Sequence, residues 1–238
     1  MCIKGLDVDS VISGYIYYEG YWERDMLQLM LKILQAYPNA TLLDVGSNIG
    51  MFSVTAAAAN YSVVAVDPFK TNLAYIRLST VLHGSQDNVR YIPHTIRVIH
   101  IILEYLQGAT PFVTADVART KPSEEIGEGV ESITFNELLD VVHTDTVIVK
   151  MDIQGAECKA LIPFLQKKIK TKYIPYIIME WQWITYNMMG LCPDIQPLIK
   201  AFLDNGYFPA NVTTRHELDI ETQKTWYDVL WVHQDAIH

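Results

Sequence analysis

Positive charge is scarce in this chain. It contains 18 lysine and arginine residues against 27 aspartate and glutamate residues, and its formal net charge is −9. No long basic run interrupts this acidic composition. An acidic surface repels the phosphate backbones of DNA and RNA. We therefore expect no nucleic-acid partner, and an enzyme that modifies bases in nucleic acids is a poor interpretation of this sequence.

Cysteine is scarce as well. The three cysteines, Cys2, Cys158 and Cys192, lack the spacing of a zinc site and cannot all pair with one another. We expect them to be thiols in the core or on the surface, and neither a metal centre nor a disulfide framework.

The chain also lacks an apolar run of membrane-spanning length and a secretory signal. We expect no membrane segment in this chain, and a cytoplasmic location is the default expectation. Glycosylation sequons begin at Asn39, Asn60 and Asn211 and point instead to a luminal origin. A luminal protein would need a targeting segment that this sequence does not contain.

The stretch TLLDVGSNIGMF at residues 41–52 organises the chain. Its first five residues indicate a short buried strand, Gly46 to Gly50 indicate a tight turn, and Met51 begins a helical pattern. A strand, a glycine turn and a helix start in this order are typical of a nucleotide-binding corner, because glycine allows a ligand to approach the backbone closely.

The spacing in this stretch selects among ligands. A dinucleotide site requires G-x-G-x-x-G, whereas the sequence here is Asp44-x-Gly46-x-x-x-Gly50. An acidic residue at the strand tip suits an ammonium group better than a phosphate. S-adenosylmethionine (SAM) carries an amino group and a sulfonium but no phosphate, and it is the ligand we predict. Another nucleotide and a mere tight turn are the alternatives.

The second predicted strand, residues 61–66, ends in Asp67-Pro68-Phe69. An acidic residue about 20 positions after a glycine turn is where a ribose diol is held, because a carboxylate accepts hydrogen bonds from both hydroxyls. Asp67 is therefore the predicted ribose ligand. A helix N-cap before Pro68 is the alternative, and both roles are compatible.

Strands and helices alternate along the rest of the chain, which indicates a parallel sheet with right-handed crossovers. No helical pattern joins the last two strands, so we expect that pair to be antiparallel. The sheet then has seven strands, with Asp44, Asp67 and Asp152 at its carboxyl edge. Residues 1–22 are predicted to form a short irregular or hairpin segment. The other predicted elements are helices at 23–36, 71–82, 133–142, 153–168 and 193–205, and strands at 88–92, 146–152, 173–179, from 206 and at 226–232. Residues 95–106 are of uncertain type and compatible with a helix, 107–129 form a long loop with one short strand, and 219–225 form a polar loop.

Two motifs resemble those of the FkbM-type methyltransferases, a branch of the class I SAM-dependent fold. Residues 43–50, LDVGSNIG, are similar to the family's first motif, in which an asparagine in the turn is usual. Residues 149–157, VKMDIQGAE, are similar to its more specific strand-four signature. The resemblance implies an α/β, Rossmann-like, mostly parallel sheet with helices on both faces and an antiparallel last strand. It also implies methyl transfer from SAM, usually to an oxygen of a sugar or a hydroxylated natural product.

By position, the resemblance places the methionine part of SAM at the glycine turn, the ribose at Asp67 and the transferred methyl group near Asp152. The predicted cofactor-binding residues are Asp44, Gly46, Ser47, Asn48, Gly50, Asp67, Pro68, Phe69, Asn72 and Asp152.

A hydroxyl acceptor needs a base, because methyl transfer from an activated donor requires alignment and removal of the acceptor's proton. The candidate catalytic residues are Asp152, Glu180 and His94. A structural salt bridge with Lys150 is the alternative role for Asp152, and a loop histidine is the alternative for His94. Two carboxylates alone do not establish Mg²⁺, so we predict no metal site.

We expect an N-terminal segment and helix at residues 1–38 that pack on a methyltransferase domain at residues 39–238. The leading hypothesis is O-methylation of a small-molecule or glycan hydroxyl. The alternative is a SAM-fold binding or scaffold protein with little or no turnover, because residues 94–99 are largely apolar where the family has a polar segment that contacts adenine. A NAD-dependent oxidoreductase ranks third for want of G-x-G-x-x-G.

Overall fold

The computed structural model describes residues 1–96, 131–167, 171–187, 189–220 and 228–236. The predicted loop at 107–129, most of the uncertain stretch at 95–106 and most of the predicted loop at 219–225 lie outside these residues. Every helix among the described residues is too short or too polar to cross a membrane.

The chain alternates between helices and strands. The helices are α1 (Ile12–Glu19), α2 (Arg24–Ala36), α3 (Met51–Ala58), α4 (Lys70–His83), α5 (Phe135–Val141), α6 (Glu157–Leu165), α7 (Gln182–Thr185) and α8 (Gln196–Asp204), with a 3₁₀ turn at Gln86–Asn88. The strands are β1 (Thr41–Val45), β2 (Ser62–Val66), β3 (Val89–Ile92), β4 (Thr95–Ile96), β5 (Ser132–Ile133), β6 (Thr146–Met151), β7 (Tyr173–Glu180), β8 (Tyr207–Asn211) and β9 (Asp228–His233).

Seven of these strands form one sheet in the order β3-β2-β1-β6-β7-β9-β8, and β4 pairs with β5 in a separate two-stranded ribbon. The first five strands in this order, β3, β2, β1, β6 and β7, are parallel, whereas β9 runs antiparallel to both of its neighbours. The predicted seven-stranded Rossmann-like sheet with an antiparallel last strand is confirmed. The order reverses between β1 and β6, which is where open sheets of this kind bind ligands.

Both faces of the sheet are covered, which explains why the central strands are continuously apolar. Successive side chains of β1 alternate between the faces, since Leu42 packs into one apolar core and Leu43 into the other. One core contains buried residues of α2, α3 and α4, and the other those of α5, α6 and α8. The site residues of β1 and β6 therefore emerge between two rigid layers.

Two segments differ from what the sequence suggested. Residues 12–19, expected to be irregular or a hairpin, form α1, whose end is set by Gly20 in the left-handed conformation. Thr95–Ile96 belongs to a strand because it pairs with Ser132–Ile133 across a long gap in sequence.

The expectation that the cysteines are free thiols is also wrong for two of them. Cys158 of α6 and Cys192 form a disulfide, with Cα atoms 5.6 Å apart, whereas Cys2 is free. The two residues are 34 positions apart in sequence. Only the packing of α6 against the segment after α7 brings them together, so their spacing gave no signal.

Candidate active site

The turn between β1 and α3 and the residues around it, Asp44, Asp67 to Phe69 and Asn72, form what we call the glycine corner. Gly46 has φ +79°, and a Cβ atom there would overlap the carbonyl oxygen of Asp152. Gly50 has φ +91°, and a Cβ atom there would lie 2.5 Å from the side chain of Ile76. Both positions thus require glycine for conformation and for space. Asn48 has φ +48° and occupies the left-handed region that asparagine tolerates.

The backbone N–H groups of the turn in the glycine corner, residues 46–50, all donate hydrogen bonds within the protein. Those of Gly46 and Ser47 donate to the carbonyl oxygen of Val66, and that of Gly50 donates to the carbonyl oxygen of Ser47. The N–H of Asn48 donates to Asp67 at 2.9 Å, and that of Ile49 donates to the Asn48 side chain at 2.8 Å. A phosphate site needs free N–H groups aimed at the ligand, and this turn offers none.

The polar atoms that the glycine corner leaves unused can all accept a hydrogen bond. Asp44 Oδ1, Ser47 Oγ and Asn72 Oδ1 are buried without a hydrogen-bond partner in the part of the chain that the structure describes. Buried polar groups are normally paired. The corner therefore fits a ligand that brings N–H and O–H donors, such as an ammonium and sugar hydroxyls, and the predicted cofactor has both.

Asp67 lies at the end of β2 and fixes the glycine corner to α4. Its carboxylate accepts hydrogen bonds from the N–H groups of Asn48 and Phe69, both at 2.9 Å, and from the Asn72 side chain at 3.0 Å. Burial raises its pKa to about 7, against the effect of these donors. Oδ2 accepts only the Asn48 bond among these, so a lone pair remains for a ligand. The N-cap of α4 is Phe69, without a side-chain cap, so the alternative role of Asp67 as helix N-cap is wrong.

A second group of charged side chains, which we call the acidic edge, surrounds Lys150 of β6. The Lys150 ammonium lies 3.4 Å from both the Gly46 carbonyl oxygen and Asp152 Oδ2, and 5.2 Å from the centre of the Phe52 ring. Asp44 is its register neighbour on β1 and is fully buried, accepting a 2.6 Å hydrogen bond from Ser53. Lys150 therefore connects the glycine corner to the strand-four motif.

Charge on the acidic edge is balanced unevenly. Burial alone would lower the pKa of Lys150, but the carboxylates of Asp152, Asp44 and Glu23 outweigh it and raise that pKa. Burial raises the pKa of Asp152, but the Lys150 ammonium and the hydrogen bonds to the Asp152 carboxylate lower it by more. The pKa of Asp152 is therefore below its ordinary value. Asp152 is thus held ionised beside a permanent cation.

Glu180, at the end of β7, is the protonated partner of Asp152. Burial and the neighbouring Asp152 charge raise the pKa of Glu180 to about 10, so its carboxyl donates a hydrogen bond to the Asp152 carboxylate. Gln154 donates to Asp152 Oδ1 at 2.8 Å and approaches Glu180 Oε2 at 3.4 Å. Two of the three predicted catalytic residues therefore lie in direct contact.

His94 lies elsewhere. It follows β3, three strands from β6, which corresponds to about 14 Å across the sheet. Its Nε2 atom lies 3.1 Å from Glu131, next to the β4–β5 ribbon. The structure does not bring His94 to the other two candidates, and its catalytic role stays a prediction.

Two members of the acidic edge, Glu23 and Asp228, were not predicted from the sequence. Glu23 precedes α2 and lies within electrostatic range of Lys150 and Asp152. Asp228 begins β9 opposite Glu180, and burial raises its pKa to about 7. An antiparallel last strand must begin at the carboxyl edge of the sheet, so the predicted topology could have placed Asp228 there. No spacing in the sequence indicated that Glu23 joins the site. Among the described residues, no group of three or more potential ligands has metal-site geometry.

A cavity of about 270 Å³ lies beyond Glu180, between α7 and α8, with Trp181, Thr185 and Cys192 in its wall. Asp152 and Lys150 do not line it. Trp181 is only 2% exposed and packs against Trp231, so its role here is core packing. The cavity is a neighbour of the acidic edge and not part of it.

Comparisons with known proteins agree with this geometry. The profile of the FkbM methyltransferase domain matches residues 44–209, which is more than half of the chain and includes both sequence motifs except Leu43. A search of curated proteins finds no match.

One solved structure, at low identity, has a similar fold, and a second is reported for comparison. The bifunctional kinase-methyltransferase WbdD matches with a TM-score of 0.50 and 13% identity, over 94% of this chain and 43% of that one. A SAM-dependent O-methyltransferase from Thermotoga maritima matches with a TM-score of 0.47 and 10% identity, over 93% of this chain and 70% of that one. The chain thus spans less than half the length of WbdD.

Proposed function

Because the chain belongs to the FkbM methyltransferase domain family, we propose that it transfers a methyl group from SAM to a hydroxyl of a small molecule or sugar. The glycine corner is the main support for this proposal. The N–H groups of its turn donate hydrogen bonds within the protein, whereas Asp44, Ser47 and Asn72 have buried acceptor atoms without a partner among the described residues. This pattern suits a cofactor with an ammonium and ribose hydroxyls and no phosphate.

SAM, when bound, supplies a methyl group that is already activated on a sulfonium. The glycine corner would hold the methionine part, with Asp44 and Ser47 as acceptors. Asp67 would receive the ribose hydroxyls through the lone pair left on Oδ2. Pro68, Phe69 and Asn72 belong to the same corner.

The acidic edge would serve the acceptor. Asp152 is held ionised by Lys150, so its carboxylate can accept the proton of an acceptor hydroxyl as the oxygen attacks. Glu180 is protonated and hydrogen-bonded to Asp152, which fixes the orientation of that carboxylate. The remaining contribution is alignment of the acceptor oxygen with the methyl carbon.

Isothermal titration with S-adenosylhomocysteine tests the cofactor site. We expect binding by the intact chain and at least about tenfold weaker binding by Asp44→Asn and Asp67→Asn, because each replaces an acceptor oxygen with an amide NH₂ group. Asp204→Asn is the matched control, since Asp204 pairs with Lys200 on the exposed surface. Absence of binding by the intact chain, or equally tight binding of NAD or ATP, contradicts the proposal.

Isotope-labelled SAM and mass spectrometry test the reaction. We expect the label on oxygen in a panel of hydroxylated acceptors, and a loss of about 10²–10⁴ in kcat for Asp152→Asn, the range typical of a removed general base. Cofactor binding without transfer to any acceptor would instead favour a binding or scaffold protein.

A further inference from the structure

Aromatic rings are exposed on α1, the helix that the sequence did not predict. Tyr15 is 55% exposed, Tyr17 63% and Tyr18 74%. Exposed large rings with a polar tip are enriched where a protein contacts a ligand or partner. The rings occur within eight residues of the acidic edge, because Glu23 follows α1 after a short turn.

One of these rings, Tyr15, is connected to the acidic edge through Trp22. The Tyr15 and Trp22 rings form an edge-to-face pair with centroids 5.3 Å apart. The Trp22 side chain donates a hydrogen bond to the Glu23 carboxylate. Tyr17 instead pairs with Tyr18, at 5.0 Å, and Tyr21 already packs against the Arg24 guanidinium, at 5.4 Å.

Glu23 carries this connection into the site. Its left-handed backbone, φ +50°, begins α2 and fixes where its side chain emerges. Its charge interacts with Lys150, Asp152 and Asp44, and it raises the pKa of Asp228. The Tyr15–Trp22 pair therefore lies one hydrogen bond from the carboxylates that surround the predicted methyl-transfer position.

We propose that Tyr15, Trp22 and Glu23 form a subsite that holds a neutral pyranose ring of the acceptor beside Asp152. This inference rests on the proposed function and assigns one side of the acceptor site. The C–H face of a sugar ring packs on aromatic rings, and its hydroxyls donate to carboxylates such as Glu23. The surplus of carboxylates at the acidic edge disfavours a sugar that carries a carboxylate or phosphate.

The indole N–H signals of the ¹⁵N-labelled chain provide a direct measurement. The sequence contains five tryptophans, and the Trp22 signal is the one that disappears in Trp22→Phe. In the presence of S-adenosylhomocysteine, titration with methyl β-glucopyranoside should shift the Trp22 signal. Methyl β-glucuronopyranoside, which adds a carboxylate to the same ring, and cyclohexanol, which lacks the other hydroxyls, should shift it far less.

Variants separate the subsite from a general effect on folding. We expect Trp22→Ala to weaken methyl β-glucopyranoside binding about two- to tenfold, the range of one aromatic contact, with Trp22→Phe in between and Glu23→Gln also weakened. Tyr17→Ala is the control, because it also removes an aromatic ring from this segment, but one that packs against Tyr18 and not against Trp22.

The outcomes distinguish this inference from the proposed function. If S-adenosylhomocysteine binds but no pyranoside moves the Trp22 signal, or if the glucuronide binds equally well, the subsite is wrong and the methyltransferase proposal stands. If S-adenosylhomocysteine does not bind, the proposed function itself is wrong. Equal weakening in Tyr17→Ala and Trp22→Ala also overturns the subsite.

Discussion

The glycine corner and the acidic edge lie on neighbouring strands and both bury carboxylates, yet they stabilise them by different means. In the glycine corner, Asp67 is surrounded by N–H donors from three residues. At the acidic edge, Asp152 depends on one cation, Lys150, and on a proton held by Glu180.

This difference suits the two regions to different roles. Hydrogen bonds from the backbone have fixed geometry, so the glycine corner holds the Asp67 carboxyl group in one orientation. A cation and a shared proton can redistribute charge when a hydroxyl approaches. The first region is suited to holding a ligand, and the second to receiving a proton.

Lys150→Met should break the acidic edge with the largest effect. Removing one partner of a buried ion pair leaves uncompensated charge, and we expect a loss of about 3–5 kcal/mol in the free energy of unfolding. Urea unfolding measures it. Lys200→Met removes an exposed lysine from its pair with Asp204 and should cost less than about 1 kcal/mol. Equal costs would mean that Lys150 does not carry the charge balance.

Gly46→Ala should break the glycine corner with the next largest effect. The added Cβ meets the Asp152 carbonyl oxygen and the residue has positive φ, so we expect a loss of about 2–4 kcal/mol. Gly84→Ala is the matched control, since Gly84 also has positive φ, +68°, but has open space around its Cβ. It should cost about 1 kcal/mol. The difference between the two losses, measured in urea, isolates the close contact with Asp152.

The pH dependence of stability sharpens the comparison. Burial raises the pKa of Asp67 from 3.8 to about 7 and that of Glu180 from 4.5 to about 10. The stability each contributes is fully present below the ordinary pKa and is lost as pH rises through the raised one. We therefore expect the free energy of unfolding to fall from pH 5 to pH 9, by at most about 1.4 kcal/mol per pH unit for each group.

Variants assign this fall to the two regions. Urea unfolding should show that Asp67→Asn reduces the fall of the free energy of unfolding with pH below about pH 7. Glu180→Gln should reduce this fall up to about pH 9. If neither variant changes the slope, the raised pKa values are not the cause.

Asn48→Gly should have the smallest effect. Glycine relieves the left-handed backbone at φ +48° but loses the hydrogen bond from the Ile49 N–H, so we expect a change within about 1 kcal/mol in either direction. Calorimetry should still detect no NAD binding, because the other N–H groups of the turn stay occupied. Tight NAD binding by this variant would show that the side chain, and not the backbone pairing, sets the selectivity of the corner.

Much of the sheet and its carboxyl edge could be predicted from the sequence. Apolar β-branched runs marked β2 and β6, and strand-end positions placed Asp44, Asp67 and Asp152 on adjacent strands. These are local signals, and the parallel topology does the rest. The Asp152–Glu180 contact could be proposed because both residues end neighbouring strands.

The remainder depends on contacts between distant segments. Glu23 joins the acidic edge only because α2 packs over the sheet, and Cys158 meets Cys192 only through the packing of α6. Helix α1 has glycine within it, at Gly14, and no clear apolar stripe, so its pattern did not distinguish it from irregular structure. The roles of the predicted site residues themselves remain predictions.

The internal pairing of every N–H in the turn after β1 has a consequence for which molecules could compete for the proposed cofactor site. Adenine nucleotides far outnumber most other molecules that carry an adenosine group, and they compete for any pocket shaped to that group. Their charged tails would find no partner in this turn and would lose their hydration there without compensation. The proposed cofactor site would therefore favour a ligand without phosphates over abundant energy carriers, and the nearby ionised carboxylate of Asp152 would add repulsion against their tails.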